Sequence, residues 1–429
     1  MIIDNVSQLA IFANKSVFLY PILQDGRLHG IANKIIGFVL IDTQTKSTYS
    51  LSNGHPDGTF SSADLSFLDS SKVYSYDTLL FKYAGYDTSK FIDVKLQQYL
   101  QTNQIYNFET PDILRHYTRW FYDCYKLGLL VPLQKHEEIA YNIFENSFIA
   151  EEQPGLEFYQ HDLINTFYKI EHNGLKIDSN LFTDRFQKTD SRVGDYSYTQ
   201  YNYYTTTGRP SNRFGGVNFA ALNKEDNTRE CFVSRYEDGI LVEIDFNSYH
   251  PRLIASLIGY DFGEDNVYEH LAKHYNNTQT PTKEEISKAK EATFRQLYGG
   301  IQRQYLHIPF FNATNNLAQL LWNEAETKGY IESPISGRKL IKANYQDIDC
   351  YVLFNYFIQM YETEHNVMLL KDLFNALEED ILPVLYTYDS ILFDLPKSKL
   401  KSLQDALDKT IPTNFPYKIK TGTNYNCLR

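Results

Sequence analysis

Apolar and polar positions along this chain change period several times, and each change marks an element. Val17-Phe18-Leu19 and Ile35-Ile36-Gly37-Phe38-Val39-Leu40 are short apolar runs that predict strands over residues 16–20 and 34–42. The spacing from Leu156 to Lys169 is helical. Leu241, Val242 and Ile244 predict a short buried strand ending at Asp245, and the spacing from Leu253 to Leu257 predicts a helix that starts near Pro251. Thr282 with Glu285 three residues on is a capping box and Gly299-Gly300 a stop, so residues 282–300 read as one helix. Gly337-Arg338 reads as a hairpin turn and the stretch around Asn355 as a helix. From Pro383 to Leu395, two aromatic and β-branched runs flank a tight polar centre, which predicts a hairpin with Asp389 near its tip. A final strand runs to Tyr425.

Two carboxylates at adjacent strand ends can hold two divalent ions ~4 Å apart, the arrangement that drives in-line phosphoryl transfer. Asp245 and Asp389 are candidates for that pair, although either alone reads equally well as a turn residue. On the predicted helix, Lys290, Phe294 and Tyr298 recur at i, i+4, i+8 and share one face. A cation, a flat ring and a phenol in a row suit a nucleoside triphosphate, the cation on the phosphates and the rings against sugar and base. Alone, Lys290 would be a solvated helix charge.

With these residues in order, the sequence resembles family A DNA polymerases, the bacterial polymerase I class. Asp245 with Arg252 is similar to motif A, Lys290-x-x-x-Phe294-x-x-x-Tyr298-Gly299 to motif B, and Tyr388-Asp389 to motif C. Thr207-Gly208-Arg209-Pro210-Ser211 resembles the T-G-R-x-S segment, Asn355-x-x-x-Gln359 the helix pair beside the new base pair, and Glu171-to-Asp178 the segment ahead of the thumb. The resemblance implies that Asp245, Asp389 and the Phe246 backbone hold two Mg²⁺ ions, and that Lys290 stabilises the triphosphate and protonates the leaving pyrophosphate. It assigns Lys290, Phe294, Tyr298, His250 and Arg252 to the incoming nucleotide, and Arg209, Asn355, Gln359 and Tyr298 to the primer-template. Three departures stand out. Ile286 occupies the usual motif B arginine, leaving Lys283 or Lys288 to supply that charge. Ser390 replaces the glutamate after the motif C aspartate, and His250 replaces the motif A glutamate beneath the sugar.

The fold class this implies is α/β and α+β multidomain: an RNase H-like exonuclease-type domain (1–150), a connector with vestigial thumb (151–204), a first palm segment (205–260), fingers (261–344) and a second palm segment (345–429). Tyr76-Asp77 is similar to the second acidic motif of the exonuclease domain. The paired first-strand carboxylates are absent, since Leu19-Tyr20-Pro21 holds their place and Asp42-Thr43-Gln44 has an amide for the second acid. Asp123 has Arg119 where the third motif needs tyrosine, so Asp77, Asp93 and Asp123 are too few for two ions and the domain reads as inactive. About 27 residues separate Asp178 from Thr206, too few for a long thumb.

The expected activity is template-directed addition of deoxynucleotides to a primer 3′ end, in a compact, phage-like form serving viral or plasmid DNA replication or gap filling. Its partners are primer-template DNA, dNTPs and a processivity or replisome accessory protein. Asp245-Phe246-Asn247-Ser248 and Tyr388-Asp389-Ser390 also echo family B enzymes and single-subunit RNA polymerases. An RNA-synthesising or primase-like enzyme, or an inactive polymerase-like DNA-binding subunit, therefore remain the alternatives.

Composition adjusts this picture little. The net charge of −12 confines any DNA contact to a local basic groove. The 35 tyrosines and 28 phenylalanines fit an aromatic nucleic-acid surface, but an AT-rich genome favours the same residues. Cys124, Cys231, Cys350 and Cys427 show no ligand spacing. With no signal-peptide pattern and no apolar run of ~18 residues, the expectation is a cytoplasmic chain away from membranes.

Overall fold

A computed structural model describes residues 1–24, 29–103, 131–147, 149–150, 152–186, 192–212, 216–223, 225–263 and 266–429. They fall into two compact units, Met1–Tyr168 with Thr189–Val193, and Lys169–Lys188 with Gly194–Arg429. Arg119, Asp123 and Cys124, invoked above, lie outside the described residues.

The first unit is built on a sheet of β1 (Ile2–Ile3), β2 (Ser16–Leu23), β3 (Ile35–Asp42), β4 (Thr48–Ser52), β5 (Lys72–Ser75) and β6 (Phe91–Asp93). Their order is β1-β4-β3-β2-β5-β6, with β2, β5 and β6 mutually parallel and β3 antiparallel to both neighbours. Because side chains alternate along a strand, one run of sequence feeds two cores. Val17, Leu19, Phe38 and Leu40 pack with Phe81 on one face, while Phe18, Ile22, Val39 and Ile41 meet Leu133, Ile139 and Ile143 of the helix Leu133–Asn146 on the other. The acids of this unit have structural tasks. Asp42 accepts from the amides of Gln44 (3.0 Å) and Thr45 (3.1 Å) and pairs with Lys15 at 2.5 Å. Asp93 caps the helix Val94–Thr102 through Leu96 N (2.9 Å) and also accepts from Thr78 N and Oγ1. Its complete burial, reinforced by the charge of Asp77, pushes its carboxyl above the usual range. Asp77 pairs with Lys95 at 2.5 Å.

The second unit carries an antiparallel sheet in the order Leu382–Thr387, Ser390–Pro396, Gly239–Phe246, Tyr417–Gly422. Leu241, Val384, Leu385 and Leu392 turn one face onto Phe219, Phe232, Leu175 and Ile177. Leu382–Thr387 closes one end of the sheet, and there the Tyr201 hydroxyl acts as a partner: it donates to Tyr386 O (2.9 Å) and accepts from Tyr386 N (2.7 Å). Glu171, fully buried, accepts from Tyr201 N at 2.6 Å and so holds that side chain's backbone. Gly174 lies at φ 59°, and a Cβ there would come within 2.7 Å of the Tyr198 ring, which explains the glycine. Arg235 ties this corner down, pairing with Asp394 at 2.8 Å and donating to the carbonyls of Asn173 (3.0 Å) and Gly174 (2.7 Å). Asp394 is 1% exposed, so Arg235→Ala would leave a buried carboxylate without its cationic partner, held only by Ser234 Oγ and the residue 235 amide; the expected loss is about 3 kcal/mol of unfolding free energy, read from urea denaturation.

Between the sheet strands stand the helices Tyr249–Ile258, Val267–Asn276, Lys283–Gly299, Pro309–Lys328 and Cys350–Ala376. Leu271, Leu297, Phe310, Phe311, Leu353 and Phe354 form their common core, and Ile286 packs against it. The capping box is present: Glu285 N donates to Thr282 Oγ1 and Thr282 N to Glu285 Oε2. Gly337, at φ 74°, lies in the connection between Tyr330–Glu332 and Lys339–Ile341. From Asp178 to Thr205 the described helix is the short Ser179–Arg185. No helix among the described residues is long and apolar enough to cross a membrane, and Cys231, Cys350 and Cys427 are free thiols.

Candidate active site

The strand Gly239–Phe246 pairs Asp245 directly with Ser390 on one side and Lys418 on the other. Pairing of Thr387 with Ser390 leaves Tyr388-Asp389 as a two-residue hairpin loop, so both predicted acids sit at the same end of adjacent strands. Phe246 N donates to Asp389 O at 3.0 Å and locks that juxtaposition. The loop is strained. Tyr388 has φ 59°, the first position of a II′-like turn normally taken by glycine, at a cost on the order of 1–3 kcal/mol. Asn366 holds it from the long helix, donating to Tyr388 O (3.1 Å) and to the Tyr386 hydroxyl (2.8 Å), and the Arg209 guanidinium lies over the Tyr388 ring, 4.0 Å from its centroid.

These elements open onto a cleft of about 420 Å³ lined by Asp245, Phe246, His250, Tyr268, Lys290, Phe294, Tyr298, Arg209, Glu362, Asp389 and Lys418 among others. Phe294 and Tyr298 lie parallel, 5.8 Å between centroids and 3° between planes, as the i, i+4 spacing requires. The Lys290 ammonium stands 5.7 Å from the Tyr268 ring centroid. Tyr298 is 41% exposed, yet its hydroxyl is tucked against His250 Nδ1 in a hydrogen bond; burial, with the Glu362 charge behind it, pushes the phenol up.

Electrostatics set the acids apart from ordinary turn residues. Burial raises the Asp389 carboxyl and the charges of Asp245 and Glu362 raise it further, against the pull of Arg209. Asp245 is bridged by Lys420, whose ammonium lies 2.7 Å from Asp245 Oδ2 and 2.8 Å from Glu243 Oε1. Burial alone would lower Lys420, but its hydrogen bonds to Asp245 and Glu243 outweigh that and hold it raised. Asp245 and Asp389, lining one cleft, make an oxygen-only donor set, which fits Mg²⁺. No group of three or more His, Cys, Asp or Glu suited to a metal ion occurs among the described residues.

Other predicted residues are placed as follows. Asn355 donates to Tyr298 O at 2.9 Å and Gln359 accepts from Thr207 Oγ1 at 3.2 Å, so both fasten the helix Cys350–Ala376 to segments bordering the cleft. Lys288 is engaged by Glu284 at 2.7 Å. Arg252 is not among the residues lining this cleft, and its Nη1 donates to Asn414 O at 3.4 Å. The helix begins at Tyr249, two residues before the expected Pro251, and Arg252 lies roughly 200° around it from His250.

Sequence reasoning missed Glu362, Lys420, Lys418, Tyr268 and Asn366. Two signals could have found some of them. Glu362 is an acid three residues beyond Gln359 in a largely apolar helix, and Lys418 and Lys420 alternate on the last strand as Glu243 and Asp245 do on the central one.

The chain matches the solved structure described as the POL domain of Pol1 from M. smegmatis in complex with DNA primer-template and dNTP, with TM-score 0.71 and 11% identity, covering 100% of this chain and 100% of that one. No protein-family model matches the sequence, and no curated protein matches it.

Proposed function

We propose that the chain is a template-directed DNA polymerase of the family A type, adding deoxynucleotides to a primer 3′ end. The observation that carries this reading is one cleft in which Asp245 and Asp389 face Lys290, Phe294 and Tyr298. Asp245, Asp389 and the Phe246 carbonyl would hold two Mg²⁺ ions, which supply a lowered pKa at the primer hydroxyl and charge neutralisation at the triphosphate. Lys290 donates to the triphosphate oxygens and carries a proton toward the departing pyrophosphate. Phe294 and Tyr298 present their rings to sugar and base. Arg209, Asn355 and Gln359 donate to minor-groove acceptors shared by all correct pairs, adenine N3 and thymine O2 among them, once primer-template replaces their present partners. A primer-extension assay comparing dNTPs with rNTPs tests the reading. Extension with dNTPs supports it, equal use of rNTPs favours the RNA-synthesising alternative, and no extension favours an inactive DNA-binding subunit.

His250 stands at the sugar side. Its ring is bulky enough to exclude a 2′-hydroxyl, so His250→Ala is expected to lower the preference for dNTPs over rNTPs by about tenfold or more while sparing most of the dNTP rate. Steady-state kcat/KM for the two nucleotides checks this.

The strand order of the first unit supports an RNase H-like, exonuclease-derived domain, with Asp42, Asp77 and Asp93 consumed by turns, an ion pair and a cap. We read it as inactive: the protein should leave a 3′-mismatched primer intact in Mg²⁺, and degradation abolished by Asp77→Ala would contradict this. We divide the second unit into palm (205–260 and 345–429), fingers (261–344) and a reduced thumb before residue 205. Such a hand would lean on an accessory protein for grip, consistent with replication or gap filling on a viral or plasmid genome. Short products from single-encounter extension would accord with that.

A further inference from the structure

Glu362 is 1% exposed, yet it projects from the helix Cys350–Ala376 to the wall of the cleft. A buried carboxylate is expensive unless positive or proton-donating groups face it. Here Arg209 Nη2 donates to Oε1 at 3.4 Å, while Arg209 Nε (3.1 Å) and His250 Nε2 (2.9 Å) both approach Oε2. Neither of the two shorter contacts is aligned as a hydrogen bond, so they are electrostatic contacts at ion-pair distance. On its other side the imidazole is hydrogen-bonded through Nδ1 to the Tyr298 hydroxyl.

The ring nitrogens of histidine are not equivalent, and a carboxylate beside one of them favours the proton there. With its proton on Nε2 facing Glu362, His250 offers Nδ1 as an acceptor, and the Tyr298 O–H supplies its single hydrogen to it. Nδ1 is then taken by the phenol, and Nε2 is turned toward the buried carboxylate at ion-pair distance. A nucleotide bringing a 2′-hydroxyl to His250 would meet a bulky ring whose two nitrogens are turned to Tyr298 and Glu362, and a site rejects a hydroxyl best when it cannot satisfy it.

We propose that Glu362 is the positioning residue that keeps His250 closed to a ribonucleotide, and hence a determinant of sugar selection acting through the imidazole. This rests on the polymerase reading above. Without Glu362 the ring is free to exchange tautomers or rotate, and a nitrogen becomes available to a 2′-hydroxyl.

The test compares Glu362→Met, similar in length but lacking a carboxylate, with Glu362→Gln, whose amide oxygen keeps an electronegative atom beside Nε2. Each is assayed for dNTP and rNTP kcat/KM on one primer-template, and the His250 ring ¹⁵N shifts are recorded on the ligand-free full chain. Glu362→Met is expected to lower the dNTP-to-rNTP ratio by about tenfold, chiefly through a lower rNTP KM, and to move His250 from the Nε2-protonated form to a mixture; Glu362→Gln should retain most of the parent ratio. A residue that merely supported the fold would depress both nucleotides alike. A ratio within twofold of the parent in Glu362→Met overturns the proposal, and so does an unchanged imidazole spectrum. Should the parent extend primers with neither nucleotide, it is the polymerase reading that fails, and the specificity role with it. The ring spectra then still decide whether Glu362 positions His250.

Discussion

Asp245→Asn and Asp389→Asn are each expected to reduce primer extension by at least about 10³-fold while leaving primer-template affinity within a few-fold of the parent. Each change removes one negative oxygen where divalent ions are to be held, and neither aspartate is a surface through which duplex would be gripped. The two variants are not equivalent structurally. Asp245→Asn removes one carboxylate from the Lys420 bridge and leaves Glu243 as its partner, whereas Asp389→Asn relieves like-charge repulsion in a buried loop. Asp389→Asn should therefore keep the parent's stability or exceed it. Quench-flow extension alongside equilibrium binding of a labelled primer-template checks the pair. If either variant extends at near the parent rate, the assignment of the acids is wrong.

The second large effect is expected at Lys290. Its ammonium stands on the cleft wall made by the helix Lys283–Gly299, near the Tyr268 ring. Lys290→Ala should lower kcat by about 10²-fold or more and raise the KM for dNTP, since charge stabilisation in the transition state and a proton donor are lost together. Lys290→Arg restores charge but not a transferable proton, because guanidinium stays protonated. It should recover the KM more fully than kcat, and parallel recovery of both would remove the proton-donor role.

Much of this site could be read from the residues because local rules place it. A capping box fixes where the Lys290 helix begins, helical spacing then aligns Phe294 and Tyr298, and strand pattern puts Asp245 and Asp389 at strand ends. What stayed hidden is decided between elements. Glu362 meets His250 and Arg209 across gaps of more than a hundred residues, and no period in a 27-residue buried helix announces which of its polar positions will face a cleft. Lys420 reaches Asp245 only through strand register. The left-handed Tyr388 is invisible in a sequence with no glycine there. In the first unit, strand pattern gave β2 and β3, but the tasks of Asp42 and Asp93 depend on their hydrogen bonds.

The strand carrying Asp245 draws its neighbours from Ser390–Pro396 and Tyr417–Gly422, with five helices of chain before the first and a sixth, Leu400–Thr410, before the second. Closing so long a loop is slow beside the formation of those helices, whose contacts are nearer in sequence. During synthesis or refolding the helices can mature while Asp245 still has no strand beside it and no lysine opposite it. The two acids meet once Ser390–Pro396 has paired with the strand carrying Asp245, and Lys420 reaches Asp245 only after Tyr417–Gly422 has joined on the other side, so the site is completed late in assembly.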